Sequence, residues 1–148
     1  MRKEFVMRGQ TASGSTEVLN FGKYKAGYAY KMTEFSLWGS TGLGTATAEM
    51  WATITAGKTA VAPTDPNFND DGLIGTSHFF FSSAQPTVTD VSSVINDTYV
   101  ITQNLILMVI DSAGAGAPVN WQCRFESVKM TGAEEAAVNY KQFTISDE

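Results

Sequence analysis

The stretch covering residues 98–131 constrains the fold most, because it has the pattern of two long strands joined by a loop of turn-forming residues. Its first half is apolar in both alternating phases, which is typical of a central strand covered on both faces. Its second half alternates strictly, which predicts one buried face and one solvent-exposed face. A change of apolar phase after Ser127 indicates a β-bulge or an edge crossing. The residues of the buried phase are Val119, Trp121, Cys123 and Phe125.

Shorter strand patterns, separated by turn signals such as GQTASG and GSTGLG, fill the chain before this stretch. In the second of them, Val18 is the predicted central apolar residue. In the third, the apolar phase slips between Met32 and Phe35, which predicts a β-bulge. The fourth carries small apolar residues in one phase, which indicates a close approach of two sheets. The predicted strands cover residues 5–8, 15–21, 28–38, 45–55, 73–82 and 87–94.

Eight short strands with almost no helix predict an all-β fold, an eight-stranded antiparallel β-sandwich. Its long loops favour a jelly roll. An immunoglobulin-like sandwich is the alternative, although a single cysteine removes its characteristic disulfide. Thr131 and Glu134 have the spacing of a capping box, and alanines and Tyr140 follow at helical spacing, which predicts a short C-terminal helix over residues 132–141. We therefore divide the chain into a sandwich domain, residues 1–131, and a C-terminal helix and arm, residues 132–148.

Charge is sparse and unevenly distributed. Only 17% of the 148 residues are charged, against about 25% in an average protein. The net charge of −5 argues against nucleic acid as the main partner. Residues 1–31 carry a net charge of +4, whereas the remainder carries −9. This asymmetry has two interpretations: a few solvated lysines, or head-to-tail contact between the basic start of one subunit and an acidic patch of another.

The sequence has few signals of compartment or cofactor. Cys123 is the one cysteine, so the chain forms no internal disulfide, and its strand phase predicts a small core residue. No segment has the length and apolarity of a membrane span. Charged residues near Met1 interrupt what would be the apolar region of a signal peptide, so we expect a protein made in the cytoplasm. We expect no cofactor.

Catalytic motifs are missing from the sequence. His78 is the one histidine, and its neighbours Phe79–Phe81 favour a partly covered strand residue over a catalytic base. One His and one Cys do not supply a zinc site. A His78–Cys123 dyad would require a chance meeting in the fold. Paired carboxylates for glycoside hydrolysis remain a minor alternative, for which the candidates on strands are Glu34, Glu49 and Glu126.

An acidic loop at residues 65–72 is the one candidate metal site. The run from Asn67 has oxygen ligands and a glycine where an EF-hand needs them, but His78 occupies the position of the bidentate glutamate. An EF-hand is therefore excluded. A weak candidate for an irregular calcium site remains at Asp65, Asp70 and Asp71, against the alternative that Asn and Asp simply favour turns there. We predict no metal.

Several general features of the chain together resemble those of a known group of proteins. They are the number of strands, the polar surface rich in Thr, Ser and Gly, the low charge and the short terminal segments. Over residues 1–131 it resembles the small β-sandwich virion proteins of icosahedral bacteriophages and related viruses, many of which are single jelly rolls. The resemblance implies a structural capsid subunit that acts by assembly and has no catalytic activity. It also implies location in the virion, with copies of itself and other virion proteins as partners. The expected assembly residues are Arg2, Lys3, Tyr140, Phe143 and Ile145.

A different class of function is also open. Jelly rolls serve as lectin and carbohydrate-binding domains, in which exposed aromatic rings stack on sugars. The alternative function is therefore a glycan- or receptor-binding module, and an enzyme is the third class. The aromatic residues that suit sugar stacking are Tyr24, Tyr28, Trp38 and Trp51.

Overall fold

The computed structural model describes residues 4–20, 28–40, 47–57, 59–82, 87–113, 116–129 and 133, with the backbone alone over 87–94. The described chain is built from antiparallel strands, as the sequence predicts. The strands are β1 (Glu4–Thr11), β2 (Thr16–Leu19), β3 (Tyr28–Gly39), β4 (Ala48–Thr55), β5 (Leu73–Ser82), β6 (Thr87–Ile95), β7 (Leu105–Asp111) and β8 (Val119–Lys129).

The strands form two sheets whose pairings are nested. Sheet A has the order β1-β8-β3, and sheet B has the order β2-β7-β4-β5-β6. The first strand therefore pairs with the last, the second pairs with the seventh, and the β4–β5 pair lies inside them. In an immunoglobulin-like sandwich the first strand neighbours the second. The immunoglobulin-like alternative is therefore wrong, because β1 pairs with β8 along its whole length.

The core lies between the two sheets and follows the alternation of the strands. From β8 it receives the four residues of the predicted buried phase, all of them at most 6% exposed. From β4 it receives a mostly small set, Ala48, Met50, Ala52 and Ile54. The Cα atoms of β3 approach those of β4 and β5 to within 8 Å, closer than the usual sheet separation of about 10 Å. These short distances agree with the close approach that the small residues of the fourth strand predict.

One of the two predicted bulges is present. The register of β3 against β8 shifts between Met32 and Glu34, so Thr33 is an extra residue on β3. The bulge predicted on β8 after Ser127 is wrong, because pairing continues without a shift to Lys129. Val128 lies in the outward phase opposite Ala29, which is fully buried. Val128 is half-buried, so the apolar phase changes without a shift of the register.

Three other predictions differ from the structure or fall outside it. Val18 is 60% exposed, and Leu19 is the buried residue of β2, because Leu19 takes the inward phase of this short edge strand. Residues 98–104 do not extend β7; Ile101 instead forms an isolated two-hydrogen-bond bridge with Tyr30. The predicted C-terminal helix and arm lie outside the described residues, apart from Ala133. No helix in the described part of the chain is long and apolar enough to span a membrane.

Candidate functional site

The outer surface of sheet A is a regular array of polar side chains, which we call the polar face. Because its three strands pair in register, outward residues lie in rows across the sheet. The four rows are Glu4–Glu126–Lys31, Val6–Arg124–Glu34, Arg8–Gln122–Ser36 and Gln10–Asn120–Trp38.

Trp38 is the one aromatic residue in these rows, and 55% of it is exposed. The centroid of its indole lies 5.1 Å from that of the buried Phe79 ring, with the two planes tilted by 49°. Packing against a core residue holds the ring in place while leaving much of it open to solvent. Beside it, the Gln10 amide donates to Asn120, and the Asn120 amide donates to the Gly39 carbonyl, at 3.0 and 3.1 Å. Trp38 is thus an anchored, exposed aromatic surface.

The row beside Trp38, Arg8–Gln122–Ser36, supplies hydrogen-bonding groups without protein partners. Among the described contacts, the side chains of Arg8, Ser36 and Gln122 make no hydrogen bond or ion pair. These three residues, together with Trp38 and Asn120, line a shallow depression of about 570 Å³. The row beyond is different, since Arg124 Nε lies 3.4 Å from the Glu34 carboxylate. The free donors and acceptors therefore concentrate next to Trp38.

The outer surface of sheet B has the opposite chemistry, and we call it the apolar face. It carries a set of large side chains that are half-buried, apart from the exposed Val18. Outward faces of antiparallel sheets are usually polar when water covers them. Part of this face is covered by the chain itself, because the outward β4 residues Thr53 and Thr55 are buried and the Thr53 hydroxyl donates to the Val61 carbonyl at 2.6 Å. The set consists of Val18, Trp51, Phe80, Ile106, Met108 and Ile110.

His78 lies at one side of the apolar face, against Trp51. The two rings are stacked with centroids 3.9 Å apart, and Nε2 of His78 lies 3.9 Å from the Glu49 carboxylate. The Trp51 indole N–H donates to Ser112 Oγ at 2.9 Å, while Ser112 Oγ also lies 3.3 Å from the Glu49 carbonyl. The interpretation of His78 as a strand residue covered by aromatic neighbours is confirmed. No hydroxyl or thiol is described within hydrogen-bond distance of its ring.

Cys123 is remote from His78. It is fully buried on the inward phase of β8 in sheet A, whereas His78 lies on the outer side of sheet B. Burial raises the pKa of the Cys123 thiol far above its ordinary value, so the thiolate needed for nucleophilic attack is disfavoured. The two residues form no dyad, and Cys123 is the core residue that the sequence predicts.

The acidic loop is held by its own side chains. Asp70 Oδ1 accepts the backbone N–H of Gly72 at 2.9 Å, and Asn67 Oδ1 accepts that of Asn69 at 3.0 Å. These are the local bonds by which Asp and Asn stabilise turns. Among the described residues, no three carboxylate, histidine or cysteine side chains meet in a way that suits a metal. The calcium candidates Asp65, Asp70 and Asp71 are therefore not brought together as a ligand set.

The remaining sequence candidates divide between the two faces. Glu34 and Glu126 lie on the polar face, whereas Glu49 lies across the sandwich on the outer side of sheet B. Tyr28 is half-buried at the start of β3, opposite Lys129. Sequence reasoning named Trp38 but missed its polar neighbours. The alternation that turns these neighbours outward can be read from the sequence. The pairing register of β1, β8 and β3, which brings them beside Trp38, cannot. The residues outside the described range are Arg2, Lys3, Tyr24, Tyr140, Phe143 and Ile145.

No protein-family model matches the chain, and no curated protein sequence matches it. Among solved structures, one similar chain belongs to work described as "Bacillus endospore appendages form a novel family of disulfide-linked pili". The alignment covers 88% of each chain, with 11% sequence identity and a TM-score of 0.37. A likeness at this level carries no argument about the function of the present chain.

Proposed function

We propose that this chain is a self-assembling structural subunit of a virion, a capsid or capsid-associated protein without catalytic activity. The apolar face of sheet B is the observation that carries the proposal. Ile106, Met108 and Ile110 occupy the outward phase of β7, an interior strand of sheet B, where a solvated sheet would carry polar residues. Val18 is exposed and its neighbours in the set are half-buried, so apolar side chains at this face remain open to a partner.

The strand order supports the same proposal at the level of the fold. Nested pairing of β1 with β8 and of β2 with β7, around the β4–β5 pair, fits a jelly roll. β6 pairs with β5 and extends sheet B beyond this nested set. Jelly rolls build many viral capsids. A fold alone does not define a function, so the assembly proposal depends on the apolar face.

The partner on the apolar face is a second copy of the chain. A surface with few charges can face its own copy without like-charge repulsion, and most oligomers of a single protein are symmetric in this way. The same proposal keeps two further predictions: the protein is made in the cytoplasm, and it contacts other virion proteins. It also predicts an assembly role for Arg2, Lys3, Tyr140, Phe143 and Ile145.

Sedimentation equilibrium of the full chain tests assembly. We expect an oligomer that Val18→Lys and Met108→Lys weaken, because each places a charge on the apolar face. Gln122→Lys places the same charge on the polar face and is the matched control. Val18 is exposed, so its replacement leaves the subunit core intact. A monomer at high protein concentration, unchanged by salt, would overturn the proposal.

Truncation after Tyr140 separates the two sources of assembly. Loss of the oligomer by the folded truncated chain would assign assembly to the C-terminal arm and not to the apolar face. If assembly depends on the apolar face instead, the truncated chain should form the same oligomer as the full chain, and Val18→Lys should weaken that oligomer.

A further inference from the structure

We propose that the polar face binds a neutral oligosaccharide, with one sugar ring stacked on Trp38 and its neighbour hydrogen-bonded to Arg8, Gln122 and Ser36. This proposal concerns sheet A alone and does not depend on assembly through sheet B. It gives a ligand class to a depression on the outer surface of sheet A that combines an exposed aromatic ring with polar groups that are unpaired among the described residues.

Trp38 has the properties of a stacking platform. The face of an indole carries negative charge density, which attracts weakly positive C–H groups. One side of a pyranose ring presents such C–H groups, so it can cover the exposed part of Trp38 and remove apolar surface from water. Contact with Phe79 holds the indole before a ligand arrives, which reduces the entropy lost on binding.

The adjacent row matches the hydroxyls of a sugar. Arg8 offers only donors, whereas the Gln122 amide and the Ser36 hydroxyl each offer a donor and an acceptor. A sugar hydroxyl both donates and accepts, so all three side chains can pair with one. Neighbouring strands lie about 4.8 Å apart and alternate residues about 7 Å apart along a strand. Trp38 and Arg8 are two strands and one row apart, a separation that suits a chain of two or more rings.

Shape and charge fit a neutral sugar. The depression of about 570 Å³ is shallow and open, so it suits a ligand that lies along the sheet surface. The polar face as a whole carries three acidic and three basic side chains, so it lacks the net positive charge that a nucleic-acid backbone would need; they are Glu4, Glu34, Glu126, Arg8, Lys31 and Arg124. Trp38 is the one aromatic ring among the described rows, so the surface lacks the apolar centre of a protein interface.

Binding of neutral linear tetrasaccharides from the cello, chito and lacto series tests the proposal. The measurement is isothermal titration of the full chain at millimolar sugar, together with the shift of the Trp38 indole signal in NMR spectra. We expect at least one series to bind. We expect Trp38→Ala to weaken its binding about tenfold, in keeping with the loss of an aromatic contact. Arg8→Ala and Gln122→Ala, which are surface changes, should each weaken binding severalfold.

Phe68→Ala is the matched control, because Phe68 is an exposed aromatic residue, 66% accessible, in the loop before β5. The Phe68→Ala variant should bind sugar with the same affinity as the unchanged protein. Three results would overturn the proposal: no binding of any series, binding that survives both Trp38→Ala and Gln122→Ala, or tighter binding of an oligothymidylate than of any sugar. A monomeric protein that still binds sugar would overturn assembly but keep this inference.

Discussion

Gly9 lies directly opposite Trp121 in the β1–β8 ladder, and the Trp121 indole occupies the space that a side chain at position 9 would need. A Cβ atom built on Gly9 would lie 2.9 Å from the indole ring. The indole is 6% exposed, and its N–H donates to Thr11 Oγ1 at 2.9 Å. The glycine therefore gives Trp121 room to reach across β1 to Thr11.

The first prediction concerns this contact. Gly9→Ala should lower the free energy of unfolding by about 1–3 kcal/mol, the usual cost of overpacking a core. The ring is held by its hydrogen bond, so it cannot move aside freely. Urea denaturation measures the change, and Arg8→Ala, an exposed neighbour on the same strand, is the control. Equal stability of Gly9→Ala and the unchanged protein would contradict the prediction.

Asp111 holds the end of β7 and the loop that follows it. It is 6% exposed, and its carboxylate accepts backbone N–H groups from Glu49, Ala113 and Ala117, each at 3.2 Å. Asp111→Ala leaves three donors without this acceptor and should cost about 3 kcal/mol or more. Asp111→Asn keeps one acceptor oxygen and should cost less. Thermal unfolding of the two variants gives the ranking, and the reverse order would refute this role.

Cys123 should make stability depend on alkaline pH. Its folded pKa is raised by burial, so the unfolded chain loses the thiol proton at a lower pH than the folded chain. The stability that depends on the neutral thiol is fully present below the unfolded pKa of about 8.5, and falls above it by up to about 1.4 kcal/mol per pH unit.

Cys123→Ala is the comparison, since it removes the titrating group. Between pH 8 and 10 its free energy of unfolding should fall less steeply with pH than that of the unchanged protein. Urea denaturation across this pH range provides the measurement. Parallel curves for the two proteins would mean that the thiol ionises equally in both states.

Thr33 should be dispensable, although it lies inside a long strand. It is the extra residue of the β3 bulge and is exposed. Deleting Thr33 brings Met32 and Glu34 into regular pairing and keeps Phe35 and Leu37 facing the core. We expect a folded protein that loses about 1 kcal/mol or less, since surface changes usually have small effects.

Deleting Ser36 is the matched test of the same strand. It exchanges the faces of the residues on one side of the deletion, which brings Trp38 toward the core or turns Phe35 outward. This variant should fail to fold or lose most of its stability. Circular dichroism and thermal unfolding distinguish the two deletions, and similar behaviour of both would contradict the bulge assignment.

The sequence by itself determined which residues form strands and, for most strands, which side faces the core. The bounds of β5, the inward phase of β4 and β8, and the slip at Met32–Phe35 were all readable, because side chains alternate from one residue to the next whatever the strand pairs with. Val18 was misassigned because four residues at a sheet edge give too short a pattern.

Only the tertiary structure decided which strands lie side by side. Arg8, Gln122 and Ser36 form one row although more than 100 residues separate the first two. Trp38 becomes a candidate binding residue only beside that row. Likewise, the apolar outward residues of β7 became a candidate interface once β7 was placed between β2 and β4. Alternation is a local property of the chain, whereas pairing depends on contacts between distant segments, which no local pattern specifies.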